Sequence, residues 1–249
     1  MSTDRRGWYA VSLSGSVPPG TSNGTHLFDE EIVVWRDTNG APHVWADRCP
    51  HRGMRLSFGF VRSDHLACLY HGWQYGSDGR CLHIPAHPGL RPPESIAVWR
   101  HSTHEALGLV FVHFGEVEET PALPAGMVGR EFIPVRSIHV ACPADRLADR
   151  FAALAITSFD RRLEGGIFAF AATQSVIAGA VEKDGIGETL VGAVQPIGAN
   201  RSALHLVVAG NGISCRGAPQ RHFSRTIERL RDGIESGSLP MTGPIAPLH

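Results

Sequence analysis

The feature that most restricts this 249-residue chain is a repeated pairing of cysteine with histidine. Cys49-x-His51 is followed, after 16 intervening residues, by Cys68-x-x-His71. The segment "RCPHRGMRL" reads as a loop too compact to be core, "ACLYHGW" supplies its partners, and glycine (Gly53, Gly72) stands just past each histidine. Two separated ligands cannot close a metal site, but two thiols and two imidazoles from paired loops can.

Two features argue against structural zinc. A single residue between Cys49 and His51 is tighter than the C-x₂₋₄-C and H-x₃₋₅-H spacing usual for that ion. Each loop also brings one thiolate and one imidazole, which suits a two-iron cluster whose irons each draw one ligand from each loop. Gly53 and Gly72 allow tight turns and a close backbone approach that directs N–H groups at the sulfurs. A zinc site, or four unconnected structural residues, are the alternatives.

The rest of the composition narrows the setting. The chain is 43% apolar and 19% charged, with 28 Gly and 17 Pro, as in a turn-rich globular protein. Its net charge of −1 gives no pull toward nucleic acid or an anionic membrane. Lys183 is the only lysine, a compositional habit without functional weight. The start, "MSTDRRGWYA", has no apolar stretch after its basic pair, so no signal peptide is expected, and no run is long enough to span a membrane. Five cysteines are too sparse for a disulfide framework, which makes a reducing cytoplasm the default location.

Residues 5–114 read as short strands divided by turns, a small all-β module. Ile32–Trp35 and His43–Ala46 flank the hairpin turn Asp37-Thr38-Asn39-Gly40, and "WQYGSDGRCLHI" repeats the pattern around Ser77-Asp78-Gly79. "SIAVWR" and "LGLVFVHF" read as further strands. The acidic, then Pro/Gly-rich stretch 116–130 reads as a linker. Beyond it, "EFIPVRSIHVAC" reads as a strand and residues 143–158 as a helix with Leu147, Phe151 and Leu154 on its apolar face. "GIFAFAATQSVIAGAVE", "ETLVGAVQPI" and "SALHLVVAG" each read as strand-like, and "APQRHFSRTIERLRDGIES" as a final amphipathic helix before a loose tail from Gly237. The expected organisation is a β domain over 1–115, the linker 116–130, and an α+β domain with an antiparallel sheet over 131–249.

"CPHRG" followed by "CLYHGWQY", including Arg52 and Trp73, resembles the cluster signature of the Rieske non-haem iron oxygenases. The resemblance implies a Rieske 2Fe–2S cluster with Cys49 and Cys68 on one iron and His51 and His71 on the other. Neutral imidazoles remove negative charge and raise the potential into roughly the −150 to +300 mV range. Neither loop carries the second cysteine found in respiratory and photosynthetic Rieske proteins, which points to the oxygenase or ferredoxin type.

Alpha subunits of that family follow the Rieske module with a helix-grip-like domain holding one iron through two histidines and a carboxylate. The resemblance weakens there. No histidine lies between Cys142 and Ala203; Ala153 takes the place of the bridging aspartate, Ile156 that of the first histidine, and Asp160 is a poor substitute ligand. The expectation is therefore a degenerate second domain without a mononuclear iron. His139 and His205 read as packed or surface residues, His83 and His87 flank Pro85, and His101 and His104 read as exposed. His222 with Asp232 on the last helix is the one candidate for a rebuilt site. Cys81, Cys142 and Cys215 read as small buried apolar residues, and the arginines of the last helix as a solvated face that could dock an acidic donor.

Three functions fit. The first is a one-electron carrier or non-canonical subunit of a Rieske oxygenase system, served by a reductase or ferredoxin and working with a separate catalytic oxygenase subunit. The second is a complete oxygenase acting on a small organic substrate. The third is a binding, assembly or redox-sensing protein. The resemblance favours a trimer-like oligomer, an argument that loses force without the second iron.

Overall fold

The computed structural model describes residues 5–115, 120–127, 129–173, 175–210 and 217–238, so Cys215 and most of the tail lie outside the described residues. Eleven strands come first: β1 (Gly7–Leu13), β2 (Thr21–Leu27), β3 (Glu30–Arg36), β4 (Pro42–Ala46), β5 (Phe60–Arg62), β6 (His65–Ala67), β7 (Gln74–Gly76), β8 (Cys81–His83), β9 (Arg100–His101), β10 (Thr103–Ala106) and β11 (Leu109–Phe114). They form three antiparallel sheets in the orders β1-β11-β10, β2-β3-β4-β9 and β5-β6-β7-β8. The β3–β4 hairpin turns where the sequence places it. Val34 faces Val44 across the ladder, and the Asp37 carboxylate accepts the Ala41 N–H at 2.9 Å to close the turn.

The second half contains β12 (Ile133–Val140), α1 (Ala144–Ala152), β13 (Ala169–Thr173), β14 (Val176–Lys183), β15 (Ile186–Gly198), β16 (Arg201–Gly210) and α2 (Ala218–Glu235). Its strands form one five-stranded antiparallel sheet, β12-β16-β15-β14-β13. An N-terminal β-rich region followed by an α+β region is the architecture expected from the sequence.

The layers stack because the central strands bury both faces. On β16, Leu204, Leu206 and Val208 face the helices and pack with Leu147, Phe151, Phe223, Ile227 and Leu230. Val207 and Ala209 face the other way, against Trp8, Ala10, Leu109 and Phe111 of the β1-β11-β10 sheet. The opposite face of that sheet, with Val11, Val110 and Val112, packs on Leu27, Ile32, Val34 and Val44. Period-two alternation with both faces apolar explains why "ETLVGAVQPI" and "SALHLVVAG" read as nearly continuous apolar runs.

Three elements differ from the sequence reading. The helix expected over 143–158 ends at Ala152. Beyond it the chain is extended, with Thr157 bridged to Ile167 and backbone bonds from Ser158 to Gly166 and from Phe168 to Ile156. Antiparallel partners satisfy the backbone at the β-branched pair Ile156-Thr157, where a helix would restrict χ1. "GIFAFAATQSVIAGAVE" is a hairpin, β13 and β14 pairing from Ala169–Ala180 to Thr173–Val176, because the polar Thr173 and Ser175 mark a reversal inside the apolar run. "SIAVWR" forms only the bridge Arg80–Ala97, with backbone bonds from Val98 to Gly79 and from Cys81 to Ile96, before β9 begins at Arg100.

Candidate metal centre

The first cysteine–histidine segment connects the β2-β3-β4-β9 sheet to β5, and the second is the β6–β7 loop of the β5-β6-β7-β8 sheet. The first follows β4 and is braced at both ends. Asp47 accepts the Ser57 N–H at 2.7 Å and its hydroxyl at 2.6 Å. Glu31 forms ion pairs with Arg48 and Arg55, which flank the loop. The second loop is closed at its base by the Ala67–Gln74 pair of β6 and β7.

The two loops repeat one backbone pattern. The Cys49 N–H donates to Met54 O at 2.8 Å, and the Gly53 N–H to Cys49 O at 2.8 Å. In the second loop the Cys68 N–H donates to Trp73 O at 2.8 Å, and the Gly72 N–H to Cys68 O at 3.0 Å. Gly53 and Gly72 have φ of +70° and +69°, the left-handed region open to glycine without a Cβ penalty. Identical turns on both sides present cysteine inward and histidine outward.

The thiols and imidazoles sit in different environments. Cys49 and Cys68 are each 3% exposed, in a core with Trp45, Leu56, Leu66 and Tyr75. The Tyr75 hydroxyl lies 3.1 Å from Cys49 Sγ. Burial pushes the Cys68 thiol up, while the N–H groups of Tyr70 and His71 aimed at it act in the opposite direction. Burial and the neighbouring Cys49 also push the Tyr75 phenol up, so it stays an O–H donor. His71 is exposed and His51 half-buried. Their ring centroids are 4.7 Å apart, and His51 stacks on Trp73 at 4.2 Å with an interplanar angle of 7°. Desolvation, then the neighbouring His71 and Arg52, lowers the His51 pKa and favours the neutral ring that ligates metals.

This donor set fits a two-iron cluster better than one ion. A two-iron cluster separates its thiolate pair from its imidazole pair, and here the thiols are in the core and the rings at the surface.

The sequence profile of the Rieske [2Fe-2S] domain matches residues 7–105. The chain contains a Rieske domain. It is 36% identical over 152 residues to the phenoxybenzoate dioxygenase subunit alpha of Ectopseudomonas oleovorans, across 58% of this chain and 37% of that protein. It is 33% identical over 115 residues to oxidoreductase NdmD of Pseudomonas putida, across 46% of this chain and 20% of that protein. The chain thus spans well under half the length of these relatives. The fold extends further: NdmA of Pseudomonas putida CBB5 superposes with a TM-score of 0.77 at 21% identity, covering 98% of this chain and 85% of that one.

The second half of this Rieske-domain protein arranges its candidate ligands differently. Ala153 is exposed at the end of α1, and Ile156 is 1% exposed among Phe151, Phe168 and Phe223. Phe151 lies so close over Gly192 that no side chain fits between them. Asp160 accepts the Arg162 N–H at 2.9 Å and pairs with its guanidinium. The buried Glu188 accepts N–H groups of Phe159 at 2.8 Å and Asp160 at 2.9 Å, tying down the segment after α1. A cleft of about 320 Å³ lies between β1 and α1, with Trp8, Tyr9, Ala148 and Val194 in its wall.

The rebuilt site considered for His222 and Asp232 does not form. The His222 Nε2–H donates to Thr157 O at 3.0 Å, while Asp232 pairs with Arg231. His101 and His104, expected to be exposed, are half-buried: His101 stacks on Phe114 at 6.1 Å and His104 meets Trp8 edge-on at 6.1 Å. His139 is exposed, and Cys81 and Cys142 are buried, as read. Two site residues escaped the sequence reading. Tyr75 had a usable signal, since it lies within the quoted signature four residues after His71. Glu31 had none, because nothing in its neighbourhood points 17 residues ahead to Arg48.

Proposed function

We propose that Cys49 and Cys68 hold one iron, and His51 and His71 the other, of a Rieske 2Fe–2S cluster in a one-electron carrier of a Rieske oxygenase system. The observation that carries this reading is the pair of matching loops, each with a buried thiol and an outer imidazole. The cluster, when bound, supplies one-electron redox chemistry. The chain's own part is to keep water from the thiols, to set the Tyr75 O–H and loop N–H groups against them, and to bring the imidazole edge to solvent. A reductase or ferredoxin supplies the electron, and a separate catalytic oxygenase subunit accepts it, in the cytoplasm. The functional division follows 1–115, 116–130 and 131–249. The apolar filling around Phe151 and Ile156 favours the carrier over a complete oxygenase.

Iron and acid-labile sulfide analysis tests the proposal, with two of each expected per chain. A third iron required for substrate-dependent oxygen uptake would overturn the carrier reading. His71→Cys is expected to retain a cluster and move its potential from the Rieske range toward the roughly −400 mV of all-cysteine centres, with a changed EPR spectrum. Unchanged spectra would remove His71 from the ligand set.

A further inference from the structure

We infer that the groove between β4 and the β9–β10 connection is a binding site for a small phosphate-bearing ligand, either inorganic phosphate or a compact phosphate monoester. The groove arises where the chain changes sheets. β9 pairs with β4 at two positions, Val44–His101 and Trp45–Arg100. From Thr103 onward the chain pairs instead with β11 in the neighbouring sheet. A side chain takes over at this split: the Val44 N–H donates to Thr103 Oγ1 at 3.2 Å, and the same hydroxyl donates to His101 O at 3.2 Å. Beside the diverging strands is an open space of about 330 Å³.

The groove is lined by Arg100, by the imidazoles of His43 and His101, and by Ser77 and Ser102; among the described residues no Asp or Glu lines it. The acidic residues of the adjoining turns are already engaged. Asp37 accepts the Ala41 N–H at 2.9 Å and meets His43 Nε2 at 3.3 Å, and Asp78 accepts the Arg80 N–H at 3.0 Å. Arg100 is exposed, enters no ion pair among the described residues, and rests its methylenes against Gly79. Both rings are backed by aromatic side chains: His43 stacks on Trp35 at 4.3 Å and His101 on Phe114 at 6.1 Å. Such backing holds a binding group in place before a ligand arrives. Burial lowers the pKa of each ring, so near neutral pH Arg100 supplies the fixed positive charge, and the rings and hydroxyls supply hydrogen-bonding groups without charge. Several such groups around one guanidinium suit a tetrahedral oxyanion, whose oxygens need partners on more than one side. A planar carboxylate is satisfied by a bidentate arginine alone. The space also exceeds a bare phosphate, which leaves room for a small organic group. No cysteine or histidine of the proposed cluster lines the groove, so the inference does not depend on the cluster reading.

The test is a ¹H–¹⁵N NMR titration of the full chain at constant ionic strength, with inorganic phosphate, glycerol 3-phosphate, acetate and chloride as separate probes. Saturable shifts are expected at residues 43–45, 77 and 100–103 with the two phosphates, at least about tenfold tighter than with acetate. Arg100→Gln should weaken phosphate binding at least about tenfold, as expected for loss of a charge-assisted bond, with an unchanged melting temperature because the side chain is exposed. Ser102→Ala should weaken it by a few-fold, the size of one neutral hydrogen bond. Tighter binding of glycerol 3-phosphate would identify a monoester as the occupant, and equal affinity free phosphate. Shifts that chloride reproduces, affinity retained in Arg100→Gln, or acetate binding as tightly as phosphate would each overturn the inference.

Discussion

Two regions occupy the places where the resembled family holds metals, and they have opposite construction. In the loops 49–54 and 68–73, repeated backbone turns hold two thiols in the core and two imidazoles at its surface. In the segment after α1, Ile156 and the neighbouring Phe151 and Phe168 complete an apolar core between helices and sheet. The same layered scaffold thus contains one region organised around ligating atoms and one organised around packing. Shared fold carries no information on which is which; the side chains do.

The largest expected effect is in the packed region. Phe151 is fully buried and meets Phe170 at 5.0 Å. Phe151→Ala should cost about 3–5 kcal/mol through lost burial and an incompletely collapsed cavity. Thermal unfolding should report this as a drop on the order of 10 °C. The reduction potential should not change. A stable variant with an altered potential would mean that this region serves the redox centre, and the contrast between the regions would fail.

The same contrast explains what could be read from the sequence. Cys49, His51, Cys68 and His71 announce themselves because ligand chemistry restricts both residue type and spacing. The β3–β4 hairpin and α2 were legible because turn residues and helical periodicity act locally. The end of α1 was not, because Ala152 to Ile156 continues the apolar helical pattern and only the distant partners Gly166 and Ile167 extend the chain there. Glu31 was hidden for the same reason, its role being set by ion pairs across the fold.

A second contrast concerns imidazoles. His51 and His71 face outward, whereas His205 is buried, between the Ser137 hydroxyl at 2.7 Å and Gln195 Oε1 at 2.8 Å. The Gln195 amide donates onward to Thr25 Oγ1 at 3.0 Å and His26 O at 2.7 Å, linking the five-stranded sheet to β2. Desolvation, then the neighbouring His139, lowers the His205 pKa to about 3. Between that value and the ordinary 6.5 the unfolded chain binds the extra proton. Stability from neutral His205 is therefore complete above about pH 6.5 and is lost progressively as the pH falls toward 3. At pH 5 the loss should reach about 2 kcal/mol. His205→Gln should flatten this acid limb in a series of unfolding curves; an unaltered limb would assign it to other groups.

The smallest effect sharpens the ligand region itself. Tyr75 stands on β7 with its hydroxyl against Cys49 Sγ, and its phenol remains protonated. An O–H bond to a ligating sulfur favours the more negative, reduced state, so Tyr75→Phe should lower the potential without removing iron. A net hydrogen-bond contribution of about 1 kcal/mol corresponds, for a one-electron couple, to a shift on the order of tens of millivolts. Protein-film voltammetry resolves such a shift. Phe retains the ring packed among Trp45, Leu56 and Leu66, so the melting temperature should change little. A lowered potential at constant melting temperature would separate Tyr75, which acts on the donor atoms, from Phe151, which acts on the core. An unchanged potential would place Tyr75 with Phe151 as packing.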